Sequence, residues 1–237
     1  MKLYDAHSHL HFPENSDLLS QFKSDGDIVA CDSSVSFKDM DALHEIYLQM
    51  PSRIVPAYGI HPWCVPAFAR KFDYEQLEEF LGEAKAIGEI GLDNKCDVDF
   101  DAQLLYFKAQ IDIACERGLP MILHSIKAWR ELLEVLEGRK IPQKFLVHAA
   151  SCPLDIAKRL QDMGAMFSFG TRELGTMKGL ACATNIKIEN ILIESDGACI
   201  RQDLEKALKM LAELRNETRE SMSEIVESNF IRLFGNV

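Results

Sequence analysis

The sequence predicts an α/β fold, a TIM-like (β/α)8 barrel with a metal site at the C-terminal mouth of its strands. Short apolar runs alternate with segments of helical period along the chain, the pattern of repeated βα units and a mostly parallel sheet. Eight such runs can be read, enough to close a barrel. Histidines and acids stand at the ends of several of them: His7 and His9, Glu89, His124, His148 and Asp196, with His61 beside them. Residues so far apart converge only if the runs are strands of one sheet whose ends point the same way.

The first expected strand, 2–7, runs straight into His7 and His9, and the second covers 27–31. Residues 38–50 follow as a helix, because Met40, Leu43, Ile46, Tyr47 and Met50 recur at helical spacing. Strands at 53–59 and 84–89 lead to the GIHP and IGEIG segments. A long helix over 101–117 then places Leu104, Leu105, Phe107, Ile111, Ala114 and Cys115 on one face. Gly118 stops it and Pro120 opens the strand 120–124. Ser125, Trp129, Leu132, Leu133 and Leu136 give the next helix, ahead of strands at 144–148, 165–169 and 190–195. Helices over 203–214 and 221–234 close the chain. No linker, repeat or low-complexity segment interrupts it, and 237 residues suit one barrel domain spanning 1–237.

Composition narrows the function. With 47% hydrophobic and 27% charged residues the chain has enough apolar surface for a large core. Its net charge of -11 opposes tight, non-specific binding to duplex nucleic acid. The start of the chain lacks a basic region followed by an apolar stretch, and nowhere do about 18 apolar residues run together. A cytoplasmic protein without a membrane span is expected. Seven cysteines without a CxxC pair argue for reduced thiols rather than a disulfide framework. Cys31, Cys64, Cys152 and Cys199 follow predicted strands and are expected as small neutral residues rather than soft-metal ligands. His44, on the Met40/Tyr47 helix, is expected to be structural or at the surface, and His11 lies just beyond the HSH segment, within reach of the mouth.

Strand alternation lets His7 and His9 present two imidazoles to one ion, with Asp5 below His7 where it could orient a ligand ring. Glu89 can bridge two ions with its two oxygens, while Gly88 and Gly91 beside it allow close backbone approach. His124 and His148 can hold a second ion across the mouth. Asp196 can bind an ion and accept a proton from its bound water, which makes Asp196 the expected general base, with Glu89 as the second catalytic carboxylate. Glu194 is expected as a buried partner rather than a ligand. Two divalent ions per chain are expected, drawn from Zn, Mn, Ni, Co, Fe and, less favoured by so many imidazoles, Mg. Such a pair polarises a phosphoryl or carbonyl oxygen and activates water.

These segments resemble the TatD family of metal-dependent deoxyribonucleases, within the amidohydrolase-like barrels: DAHSHL at the start, GIHP at 59–62, AIGEIGLD at 86–93, GLPMILHS at 118–125, LVHAA at 146–150 and ILIESDG at 191–197. The resemblance implies His7, His9, Glu89 and Asp196 at one metal, Glu89, His124 and His148 at the other, and His61 close to a substrate phosphate. It also implies phosphodiester hydrolysis, with single-stranded DNA or DNA ends as substrates. The chain departs from the family pattern around the substrate. Ile126 and Lys127 stand where members usually carry Arg, Ala149-Ala150-Ser151-Cys152 follows His148, and Gly197-Ala198-Cys199-Ile200 replaces a long loop. Trp63 could stack on a base or pack under its loop, and Lys127, Arg130, Arg172 and Arg201 are candidate phosphate contacts. Two alternatives stay open: hydrolysis of a small ester, lactone or amide, and a metal-binding module without turnover. Many amidohydrolases of the first kind use a carboxylated lysine where this chain has Glu89.

Overall fold

The computed structural model describes residues 1–66, 69–141, 144–197 and 201–236. Eight parallel strands close into a barrel in sequence order: β1 (Leu3–Ser8), β2 (Ile28–Ser33), β3 (Ile54–Tyr58), β4 (Ala86–Asp93), β5 (Met121–Ile126), β6 (Phe145–Val147), β7 (Ala165–Phe169) and β8 (Ile191–Ile193). Closure comes from the pairing of Asp5 in β1 with Ile193 in β8. The eight strands are almost wholly buried and mostly apolar, as expected of a parallel sheet covered outside by helices and filled inside by its own side chains, with polar residues such as His7, Glu89 and His124 towards their C-terminal ends.

Among the described residues ten α-helices surround them: α1 (Ser16–Ser24), α2 (Met40–Gln49), α3 (Tyr74–Leu81), α4 (Phe100–Arg117), α5 (Trp129–Glu137), α6 (Leu154–Asp162), α7 (Thr171–Leu174), α8 (Met177–Asn185), α9 (Arg201–Arg215) and α10 (Arg219–Phe234). The predicted helices correspond to α2, α4, α5, α9 and α10. Local chemistry sets several of their ends. The Asp99 carboxylate accepts the Ala102 N–H at the start of α4, Thr218 does the same for Ser221 in α10, and Gly118 ends α4 in the left-handed region at φ 67°. Sequence periodicity did not yield α1, α3, α6, α7 or α8. Their apolar faces are narrow: α1 buries only Phe22, and α3 only Leu77 and Leu81.

Alternation in β1 sorts the site from the core. Tyr4 faces outward, its ring 5.1 Å from Phe230 of α10, whereas Asp5 and His7 face the lumen. β4 runs further than predicted, to Asp93, so Glu89, Gly91 and Asp93 share its inner face. A Cβ on Gly91 would lie 1.9 Å from the His124 carbonyl oxygen, so only glycine lets β4 come this close to β5. Among the described residues no helix is long and apolar enough to cross a membrane.

Candidate metal centre

The C-terminal ends of the strands surround a cavity of about 600 Å³. Glu89, 3% exposed, stands at its floor and divides the surrounding histidines between its two oxygens. Oε2 lies 3.3 Å from His7 Nε2 and 3.3 Å from His9 Nε2. Oε1 lies 2.8 Å from His124 Nδ1, 2.7 Å from His148 Nε2 and 3.5 Å from His61 Nε2. Asp196 Oδ1 closes the ring, 3.8 Å from His7 Nε2 and 4.0 Å from His148 Nδ1. All seven residues named from the sequence therefore meet at one place.

Surrounding groups orient the rings. The Ser33 carbonyl, 2.7 Å from His9 Nδ1, requires a proton there, so a neutral His9 carries its lone pair on Nε2, facing Glu89. The Ser33 hydroxyl meets His7 Nδ1 at 3.2 Å and leaves His7 Nε2 buried without a hydrogen-bond partner. His124 turns Nε2 toward Asp93 Oδ2, 3.6 Å away, and Nδ1 toward the centre. His61 differs. Its Nδ1 accepts the Trp63 N–H at 3.1 Å, so a neutral His61 ring carries its proton on Nε2 and offers the centre a donor.

Electrostatics follow from this crowding. Burial works against the charge of Glu89, but His148, His61 and His7 outweigh it and hold the carboxyl well below its usual range. Burial lowers His7 to about 4, aided by His148, and lowers His61 to about 3. Burial also opposes charge on His9 and His124, yet Glu89 for the first and Asp93 with Glu89 for the second raise each to about 9. Glu194 is raised well above the carboxylate range by burial and by Asp196 and Glu173. Lying 1% exposed, it accepts the Ala149 N–H at 2.7 Å, pairs with the Ser168 hydroxyl and stands 3.9 Å from His148 Nδ1. It thus sits behind the ring, as expected of a buried partner.

Three residues outside glycine with positive φ stand just past strand ends at this mouth: Lys127 at 51°, Ala149 at 45° and Asp196 at 48°. Such backbone costs energy and clusters where side chains must be aimed. At Asp196 it accompanies a hydrogen bond from the Asp196 N–H to the His7 carbonyl, which fixes the carboxylate beside β1.

The other candidate residues lie partly at the mouth and partly away from it. The Asp5 carboxylate accepts the His7 backbone N–H at 3.3 Å and the Ser195 N–H and hydroxyl at 3.0 and 2.6 Å, tying β1 to the segment after β8. Arg201 is not at the mouth. It binds Asp25 at 2.6 and 2.9 Å, in the segment entering β2, at the opposite end of the strands. His11 is buried, its Nδ1 3.0 Å from Asp32, and His44 meets the Tyr58 hydroxyl at 2.9 Å. Arg172 lines the cavity but is paired with Asp196 at 2.6 Å and Glu173 at 2.7 Å, while Lys127 and Arg130 are exposed. Cys31 and Cys152 are buried, Cys64 lines the cavity, and Cys199 lies outside the described residues together with Ala198 and Ile200. Sequence reasoning missed Ser33 and Asp93. Asp93 was within reach of the alternation that places Glu89 inside, whereas nothing marks Ser33 among serines.

A family model described as TatD related DNase matches residues 4–235. The chain belongs to this family. It is similar to the uncharacterized metal-dependent hydrolase TatD of Mycobacterium tuberculosis, 27% identical over 77% of each chain. It is also similar to the deoxyribonuclease Tat-D of Schizosaccharomyces pombe, 28% identical over 58% of this chain and 49% of that protein. Among solved structures, YjjV, a TatD homolog from Escherichia coli K12, superposes with a TM-score of 0.86 at 22% identity, covering 98% of this chain and 97% of that one. The TatD barrel is therefore the fold of this chain, and the histidine and carboxylate ring lies at its mouth.

Proposed function

We propose that this TatD-family chain is a divalent-metal-dependent phosphodiesterase, a deoxyribonuclease in its broad class, acting as one catalytic domain over 1–237 in the cytoplasm. The observation that carries this reading is the split of ring nitrogens between the two oxygens of Glu89. Nε2 of His7 and of His9 face one oxygen, and Nδ1 of His124 and Nε2 of His148 face the other. A donor set of four imidazoles and two carboxylates fits borderline divalent ions such as Zn or Mn better than Mg. The unpartnered, buried His7 Nε2 supports the fit, because such an atom costs free energy unless something binds it.

His7, His9, Glu89 and Asp196 would hold one ion, and Glu89, His124 and His148 the other. Bound there, the ions would supply Lewis acidity and activation of water. Asp196 is the general base: its carboxyl is held ionised, since His148 and His7 outweigh burial and lower its pKa. Glu89 bridges the two halves. His61, kept neutral by burial, would donate from Nε2 to a phosphoryl oxygen, which assigns it to substrate rather than metal even though it lies near Glu89 and His124. Arg172 steadies Asp196 from outside. The S. pombe relative's name supports phosphodiester chemistry.

The test is reconstitution of metal-stripped protein with Mn or Zn, followed by hydrolysis of bis(4-nitrophenyl) phosphate and of a single-stranded oligonucleotide, with metal content measured in parallel. Metal-dependent release from both is expected. Full metal content without cleavage of either would sink the phosphodiesterase reading.

A further inference from the structure

The walls of the cavity around the metal ring are apolar. Phe12 lies flat on His9, with ring centroids 4.8 Å apart and planes 5° from parallel. Beside the other histidines, the Trp63 indole stands roughly perpendicular to His61 and His124, with centroids 4.9 and 6.2 Å away. Its N–H donates to Asp93 Oδ2, which fixes the polar edge of the ring. Trp63 is nonetheless 59% exposed, so it stands open to solvent rather than packed under its loop. Ile126, also exposed, and the half-buried Val35 line the same cavity. Apolar side chains gathered open at a cavity gain when an apolar ligand group covers them, and a ring already fixed in place loses little freedom in the process.

Charge points the same way. Apart from the histidines, Arg172 is the only cation lining the cavity among the described residues, against Glu89, Glu173 and Asp196. That cation is already taken. Its Nε lies 2.7 Å from Glu173 Oε1 and its Nη2 2.6 Å from Asp196 Oδ2. A second phosphate on the ligand would therefore meet carboxylates and no free cation inside the cavity, where like charges repel strongly. A ligand with one negative charge and an apolar substituent suits both the walls and the charges.

We propose that Phe12, Val35, Trp63 and Ile126 form a subsite for a flat apolar substituent, which makes the favoured substrate a small aryl phosphodiester of single negative charge rather than a polyanion. The assignment rests on the phosphodiesterase reading and names its substrate class. Affinity then grows with the apolar area beside the scissile phosphate, not with the number of phosphates.

Binding is measured by calorimetry on the metal-loaded protein with diphenylphosphinate and dimethylphosphinate, two monoanions that imitate a diester but carry P–C bonds in place of the ester bonds. Diphenylphosphinate should bind roughly tenfold more tightly or better, with the more negative heat-capacity change that marks apolar burial. Trp63→Ala should remove most of that preference, and Trp63→Phe should restore part of it. Equal affinity for the two phosphinates overturns the subsite, and so does a Trp63→Ala variant with the preference intact. A thymidine phosphorothioate tetranucleotide that outbinds diphenylphosphinate overturns the choice of a small ester over a polyanion. Phosphinate binding requires no turnover, so a failure of the catalytic reading would show instead as metal-loaded protein that keeps the preference yet cleaves no diester.

Discussion

At the residue scale, Asp196 and Glu89 carry different loads although both are carboxylates in one ring. Asp196 stands at the edge, ionised and held by Arg172 and its own backbone; Glu89 lies at the centre and touches every ring in the set. Asp196→Asn should therefore retain most of the bound metal and lower kcat by about 10²- to 10⁴-fold, the usual contribution of a general base. Unchanged turnover in that variant would remove Asp196 from the mechanism. Glu89→Gln should lose both the metal and the activity, read together by metal analysis and diester hydrolysis. His7, His9, Glu89, His124, His148, Asp196 and His61 were legible in the sequence because each is a chemically distinctive side chain at or just past the end of an apolar run. The groups that aim them were not. Ser33 supplies a carbonyl to His9 and a hydroxyl to His7, yet serine is common and a backbone carbonyl has no signature in sequence.

At the scale of elements, the site depends on how closely β4 and β5 pack. Gly91→Ala should destabilise the fold by more than about 3 kcal/mol in urea unfolding, because its Cβ would overlap backbone at His124 and φ there is 154°. Gly82→Ala, with open space around it, should change stability by less than about 0.5 kcal/mol. At the other end of the barrel, the Arg201 guanidinium hydrogen-bonds Asp25 and lowers its pKa from 3.8 to about 2. A carboxylate depressed in this way adds stability that is present above 3.8 and disappears as pH falls through about 2. Asp25→Asn should accordingly cost at most about 1 kcal/mol at neutral pH, since solvent screens the pair, and the difference from the unaltered protein should vanish near pH 2. Strands and long helices were readable from period and punctuation. Helices α1, α3, α6, α7 and α8 escaped because they are short, at most nine residues each, and bury no more than two large apolar side chains apiece.

At the scale of the whole molecule, an ion that binds only the folded barrel stabilises all of it. Stripping a metal held at about a hundred times its Kd should remove about 2.7 kcal/mol. For a chain of this length that corresponds to a fall in Tm of roughly 5 to 11 °C. Calorimetry with and without chelator measures it, and an unchanged Tm would argue against metal at the buried ring. The sequence by itself determined the βα order, the barrel, the family and the residue types at the mouth, because apolar period and side-chain chemistry are local properties. Only the tertiary structure decided which oxygen of Glu89 faces which ring, that His61 turns a donor to the centre, that Arg201 belongs to the far end, and that the exposed Trp63 indole is tied to Asp93. Those arrangements arise from strand register, ring tautomer and loop contacts between segments remote in sequence, and no local pattern encodes the distance between them.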